Sequence, residues 1–325
     1  MRSLCCGILL AVSVSSLLAA SDWPQWRGPE RNAQSDEKLA SNDWEKNTPA
    51  HLWTVEGFGE GYASVALVGG ILFTLGDVED GQAVFAANAY DGKIQWKKLL
   101  TQARPEHKRE GSRCTPFVDG DLLFVITLDG SIACLNTADG ELVWQRNFSD
   151  WGGKMMSGGG FSESPLVNGN FVFASTSYKT GACLLELKKQ GDSMVAEEKY
   201  FLEGNEFNNH HGGMILLDGH VYAGHQQNEG FPTCVNLLTG DIVWGAKLRG
   251  PGKGSAALLL IDGHLIFRYQ DGTIALIEAT STEYTLKGSF APDYQKGNSW
   301  AHPVVVTGKL YLREQDKLMC YQVGK

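Results

Sequence analysis

The chain has 325 residues, 43% of them hydrophobic and 20% charged, which supplies a packed core and excludes a chain kept disordered by charge. Its 37 Asp and Glu outnumber 28 Lys and Arg, for a net charge of −9; binding by neutralisation of a phosphate backbone needs clustered cations, so no nucleic-acid partner is expected. The 39 glycines follow no collagen period and therefore punctuate turns.

The first 21 residues read as a secretory signal: Arg2 gives the positive start, Cys5 to Leu18 an apolar run, and Ala19-Ala20-Ser21 a small-residue cleavage site. No later segment approaches about 20 consecutive apolar residues, so the mature chain is expected to carry no transmembrane segment and to be exported, periplasmic or extracellular. No cysteine follows the apolar run at a lipobox spacing, so no lipid anchor is expected. Residues 22–49 form an N-terminal arm rich in polar and turn residues. Residues 50–325 read as one repeated domain. The five cysteines beyond the signal, Cys114, Cys134, Cys183, Cys234 and Cys320, are too scattered for a disulfide framework. All but Cys114 sit in apolar, strand-like surroundings and are expected to be buried thiols at one repeated position.

A glycine-ended turn between two β-rich segments recurs six times, at Gly69-Gly70, Asp119-Gly120, Asn168-Gly169, Asp218-Gly219, Asp262-Gly263 and Thr307-Gly308. Each is a two-residue hairpin signal. A second turn opens a third strand, as at Asp129-Gly130 and Asp271-Gly272. A third turn precedes a tryptophan four residues after its glycine: Gly92 to Trp96, Gly140 to Trp144, Gly240 to Trp244. Four antiparallel strands per repeat describe a propeller blade. The last repeat ends near Tyr321 with no residues for a fourth strand, while Ala50 to Val55 is a spare strand carrying Trp53. The expectation is therefore an all-β propeller of about six four-stranded blades, with residues 50–55 pairing antiparallel with residues 318–323. Deletion of residues 22–56 is then expected to cost far more stability than deletion of 22–40.

This repeat resembles the pyrroloquinoline-quinone-like (PQQ-like) propeller family, which includes quinoprotein dehydrogenases and propellers of the outer-membrane protein assembly machinery. The opening Asp22-Trp23-Pro24-Gln25-Trp26-Arg27-Gly28-Pro29 is similar to the start of exported, planctomycete-type members, as are Glu163-Ser164-Pro165, Asn209-His210-His211-Gly212-Gly213 and Trp300-Ala301-His302-Pro303. The family usually has eight blades, so two are missing here relative to it.

Because strand direction alternates within a blade, the loops leading into first strands share a face with those joining second and third strands. The leading loops offer Tyr62, Arg113, Glu163, His210, His211, Lys253, Trp300 and His302 as candidate ligand-binding residues at the channel mouth. The second set offers Asp77, Lys179, His225 and Gln226, and Arg268 and Arg313 are expected to point the same way. These groups either bind a ligand or satisfy one another and the loop backbone. His210, His211 and His225 are weak metal candidates, since adjacent residues on a strand face opposite ways and no diagnostic ligand spacing is present. Trp53, Trp96, Trp144 and Trp244 are expected to pack between blades, and Trp23 and Trp26 to pin the arm to the surface.

The resemblance implies, as one alternative, a PQQ- and calcium-dependent alcohol or polyol dehydrogenase. Such an enzyme needs an aromatic platform, a calcium site, a catalytic carboxylate and, in many members, adjacent cysteines. Only Trp300 and Glu163 suggest themselves, and the adjacent Cys5-Cys6 belongs to the signal. Serine-hydrolase and phosphate-loop motifs are absent. The expectation is a non-catalytic binding or scaffold protein with no assigned cofactor, whose partner is a protein, a carbohydrate or another small molecule.

Overall fold

The structure, a computed structural model, describes residues 22–102, 111–147, 150, 166–176, 178–191 and 193–325. The signal region 1–21 and Glu163 lie outside them. The described residues carry no α-helix, and none of their elements is a helix long and apolar enough to cross a membrane. Strands form wherever the sequence combines β-branched and aromatic residues between glycine turns.

Among the described residues the strands make six sheets of the propeller kind. The first comprises Ala66–Val68, Ile71–Val78, Gly81–Asn88 and Ile94–Leu99, in that order across the sheet. The second holds Phe117–Asp119, Leu122–Ile126, Ser131–Asn136 and Leu142–Asn147. The third holds Leu166–Asn168, Phe171–Thr176, Gly181–Gln190 and Ser193–Glu203. The fourth holds Ile215–Leu217, His220–His225, Phe231–Asn236 and Ile242–Trp244. The fifth holds Ala256–Ile261, His264–Tyr269, Ile274–Glu278 and Leu286–Phe290. The sixth takes Val304–Val306, Lys309–Glu314 and Lys317–Gln322 from the end of the chain and Ala50–Glu56 from its beginning. That early strand pairs antiparallel with the last one, from Ala50 opposite Gln322 to Glu56 opposite Lys317, with a bulge between His51 and Trp53. Without it the last strand would present unpaired N–H and C=O groups to solvent.

Apolar residues from adjacent sheets interdigitate. One core joins the first and sixth sheets, others the first and second, third and fourth, and fourth and fifth. Trp96 of the first sheet donates its indole N–H to Thr137 O of the second at 3.0 Å, and Tyr200 donates to Leu237 O at 2.7 Å. Trp244 donates to Thr280 O at 2.7 Å. Each ring needs space in the turn beneath it. A Cβ built on Gly140 would lie 2.7 Å from Trp96, one on Gly240 2.9 Å from Tyr200 and one on Gly92 2.6 Å from Trp53. Trp53 has a buried, unpartnered indole nitrogen, because Tyr311 donates to Ala89 O, the equivalent acceptor.

Cys134, Cys234 and Cys320 are buried thiols at one repeated position, opposite Phe124, Tyr222 and Tyr311. Cys183 corrects the expectation. It pairs with Ala174, one residue out of phase, so it faces the other side of its sheet and is only half-buried. Burial pushes the Cys234 thiol up to about 11 and that of Cys320 to about 12.

The N-terminal arm also differs from expectation. It is threaded through the fold, touching five of the six sheets. Trp23 exchanges backbone bonds with Leu67 of the first sheet, Pro24 O accepts from Val118 N of the second, and Gln34 reaches Leu216 O beside the fourth. Gln34–Ser35 adds a parallel strand to the fifth sheet, and the Glu37 carboxylate accepts N–H groups of Thr307 and Gly308 in the sixth at 2.5 Å each. Trp23, Ala33 and Leu39 are buried. Deletion of 22–40 therefore removes core as well as surface.

The junction geometry separates two tryptophans that the sequence treats alike. Trp96→Ala, which empties the seat over Gly140, is expected to cost about 3 kcal/mol, and Trp144→Ala, whose ring has no such seat, less than about 1 kcal/mol. Urea denaturation of both variants in dilute solution checks the difference; equal costs would show that the seat contributes nothing.

Candidate functional site

Four of the candidate residues from the leading loops meet in a row of ring contacts. Tyr62 lies 4.8 Å from Trp300, centroid to centroid, with planes 39° apart, and His211 stacks on Trp300 at 4.7 Å with planes 19° apart. His210 follows at 3.7 Å from His211, and Tyr178 closes the row with an edge-on contact to His210 at 5.4 Å. Adjacent histidines can both join because His211 has φ +66°, a left-handed conformation that breaks the strand alternation. Polar groups fix the row from outside: Trp300 donates its indole N–H to Gln270 Oε1 at 2.9 Å, and His210 Nδ1 meets Ser255 Oγ at 2.6 Å.

Beneath the row lies His302, whose Nε2 donates to His211 O at 3.0 Å. Its ring meets the edge of Trp26 at 5.3 Å, and the guanidinium of Arg27 lies over Trp26 at 5.5 Å. Arg27, itself buried and at φ +64°, donates to Met214 O. The arm thus packs against His302, which holds the His211 carbonyl. Sequence reading missed this contact and Tyr178. The only sequence signals were the turn residues around Gln25 to Pro29 and the position of Tyr178 beside Lys179-Thr180-Gly181.

Other candidates stand apart. His225 accepts the Asn208 N–H at 3.0 Å on Nδ1 and stacks on Phe207 at 5.7 Å. Burial lowers its pKa. Lys253 is exposed, its backbone N–H donating to Asp271 at 2.9 Å, and Arg113 is half-buried. Asp77 is enclosed, accepting from Gln82 and from Gly111 N at 3.0 Å. Arg268 and Arg313 turn towards the leading loops and are buried against their backbone carbonyls. Arg268 is shut between the fifth and sixth sheets, donating to Ala301 O at 2.9 Å, Arg313 O at 2.6 Å and Glu314 at 2.8 Å. Arg313 donates to Phe58 O and Gly59 O at 3.0 and 2.7 Å. Each arginine is the next-to-last residue of its strand, His264–Tyr269 or Lys309–Glu314, beside those loops.

No group of three or more His, Cys, Asp or Glu side chains among the described residues is placed to hold a metal ion. The quinone implied by the resemblance would need an aromatic face of Trp300, one of which His211 already stacks against at 4.7 Å.

Burial, and secondarily the Arg27 guanidinium, pushes the His302 imidazole down to about 3 from its usual value near 6.5. The folded protein keeps this ring neutral while the unfolded chain takes up a proton below about pH 6.5. Stability therefore falls on acidification between about pH 6.5 and 3, by at most about 1.4 kcal/mol per pH unit from this group. His302→Asn is expected to show a shallower loss of stability from about pH 6.5 to 4, read by chemical denaturation at stepped pH. Parallel slopes for variant and wild type would mean that His302 is not held neutral.

A sequence profile described as the outer membrane protein assembly factor BamB matches residues 42–246. BamB of Yersinia pestis is 23% identical over 256 residues, covering 75% of this chain. The chain spans 60% of the length of that relative. The crystal structure of BamB from Moraxella catarrhalis aligns with 85% of this chain and 98% of its own, with 13% identity and a TM-score of 0.44. Quinohemoprotein alcohol dehydrogenase from Comamonas testosteroni aligns with 90% of this chain and 57% of its own, with 13% identity and a TM-score of 0.35. With more than half of its length matched by that profile and its strands arranged in four-stranded propeller sheets, the chain belongs to the BamB-like family of PQQ-like propellers.

Proposed function

We propose that the protein is an exported, non-catalytic scaffold that holds a protein partner against the loops at its channel mouth. The observation that carries this reading is the row of ring contacts from Tyr62 through Trp300 and His211 to His210, in which His211 stacks against the indole that a flat cofactor would use as its platform. What remains outward is a rigid, aromatic-rimmed surface with the exposed side chains of Tyr178 and Lys253. Rigid aromatics with a polar rim suit a protein partner, because little side-chain entropy is lost on contact. The family match supports the same reading, since the relatives that carry the profile are named for a role in assembling outer-membrane proteins.

Export is tested by sequencing the N-terminus of the protein recovered from the cell envelope, expected to begin after residue 20 or 21. For binding, a photo-crosslinker at position 178 or 253 is expected to give one discrete adduct with an envelope protein, and the same group at Val243, outside the mouth, is expected to give none. Trp300→Ala should weaken the complex about tenfold, or about 1.4 kcal/mol. Addition of the quinone with calcium should leave dye-linked alcohol oxidation at background. A stoichiometric quinone complex that oxidises alcohols would overturn the scaffold reading in favour of the dehydrogenase alternative.

A further inference from the structure

Two strained backbone segments meet beneath the ring row. His211 is in the left-handed region at φ +66°, and Arg27 of the arm is there at φ +64°. A residue with a Cβ holds this conformation only where the surrounding contacts outweigh its strain. In an extended conformation His211 would face away from His210 and leave Trp300. The row therefore lasts only while His211 is held.

The contacts that hold it come from below. His302 Nε2 donates to the His211 carbonyl at 3.0 Å. Three residues further on, the Met214 carbonyl accepts from the Arg27 guanidinium. Gly213 admits that guanidinium, since a Cβ there would lie 3.0 Å from Arg27 Cζ. Gly212 has no room for a Cβ either, because it would fall 1.7 Å from Ala256 O. The chain after His211 is thus fixed between the fifth sheet and the arm.

The arm depends on the same contacts. Its crossing segment is anchored at one end by the pairing of Trp23 with Leu67 and at the other by Gln34–Ser35 beside Leu260 and Ile261. Between these ends Arg27, Arg31 and Ala33 all have positive φ. Ala33 N donates to Arg27 O at 2.8 Å within the segment, and outside it Trp26 meets His302 and Arg27 meets Met214. Each strained segment is among the contacts that hold the other.

We propose that the arm and the mouth are coupled through Arg27 and His302, positioning residues that hold His211 on Trp300, so that docking of the arm completes the ring row and a partner gripping the row tightens the arm. This regulation rests on the row being the binding surface. Coupling between two sites is reciprocal, so each end of the path reports on the other. An arm contact that served stability alone would leave the surroundings of Trp300 unchanged.

Fluorine NMR of the mature protein carrying fluorinated tryptophan follows the row directly, with the Trp300 signal identified by its loss in Trp300→Phe. His211→Ala gives the signal of an unstacked Trp300. Arg27→Ala and His302→Leu are each expected to move the signal at least halfway to that position. His302→Gln, which restores an N–H to the His211 carbonyl, should leave it near the wild-type position, as should Glu30→Ala at an exposed arm position.

Hydrogen exchange tests the reverse direction. Trp300→Ala is expected to speed exchange of the Trp23, Arg31 and Ala33 amides at least about fivefold, the lower end of typical coupling, while amides of Ile274–Glu278 keep their rates. Trp300 is only half-buried, so this test stands even if Arg27→Ala does not fold. Neither readout uses a partner: a failed crosslink leaves the coupling standing, and a failed coupling leaves the scaffold reading standing. A Trp300 signal unmoved by Arg27→Ala and His302→Leu in folded protein overturns the proposal. So do arm amides that Trp300→Ala speeds no more than those of Ile274–Glu278.

Discussion

The fold depends on one repeated contact, an aromatic side chain on the outer strand of one sheet seated over a glycine in the turn of the next. A propeller sheet is apolar on both faces, so each must be covered by a neighbour, and the seat fixes the distance and angle at which this happens. Trp53 over Gly92, Trp96 over Gly140 and Tyr200 over Gly240 share it, and Trp96 and Tyr200 add a hydrogen bond to a backbone carbonyl. The glycines are required by contact as well as by their positive φ, because any Cβ there would lie within 3 Å of the ring. Burying each ring contributes through about 150–250 Å² of apolar surface, and the hydrogen bond prevents the loss that an unpaired indole or phenol donor would cause.

Between the fifth and sixth sheets an ion pair is added to the shared apolar core. Arg268 and Glu314 form an ion pair, both side chains 1% exposed, and the arginine also donates to carbonyls of the sixth sheet. Breaking one partner of such a pair strands a charge in a dry junction, so the pair specifies the fit of these two sheets more than it adds stability. The N-terminal arm then links five sheets, and near its start Trp26 packs against His302 of the ring cluster. One segment thus serves both the stability of the ring of sheets and the shape of its mouth.

That coupling bears on function. The rings of Tyr62, Trp300 and His211 are held by one another and by Gln270, while His302, Trp26 and Arg27 support them from below. A surface built in this way is held in place by its own ring contacts and hydrogen bonds.

Much of this was legible in the sequence, because local signals carried it. Hairpin glycines, β-rich flanks and the Gly-to-Trp spacing depend on near neighbours in the chain, and so does the count that left the last repeat one strand short and Ala50 to Glu56 to fill it. The convergence of the leading loops followed from the alternation of strand direction. Contacts between residues far apart in sequence were not legible. The position of Cys183 depended on a one-residue register, and the burial of Arg268 and Arg313 on which carbonyls the next sheet presented. The arm read as a surface strap because nothing near Trp23 or Arg27 reveals the channel they enter. Trp144 reads like Trp96 in every local respect; only tertiary structure separates them, because the seat of a tryptophan belongs to the following sheet.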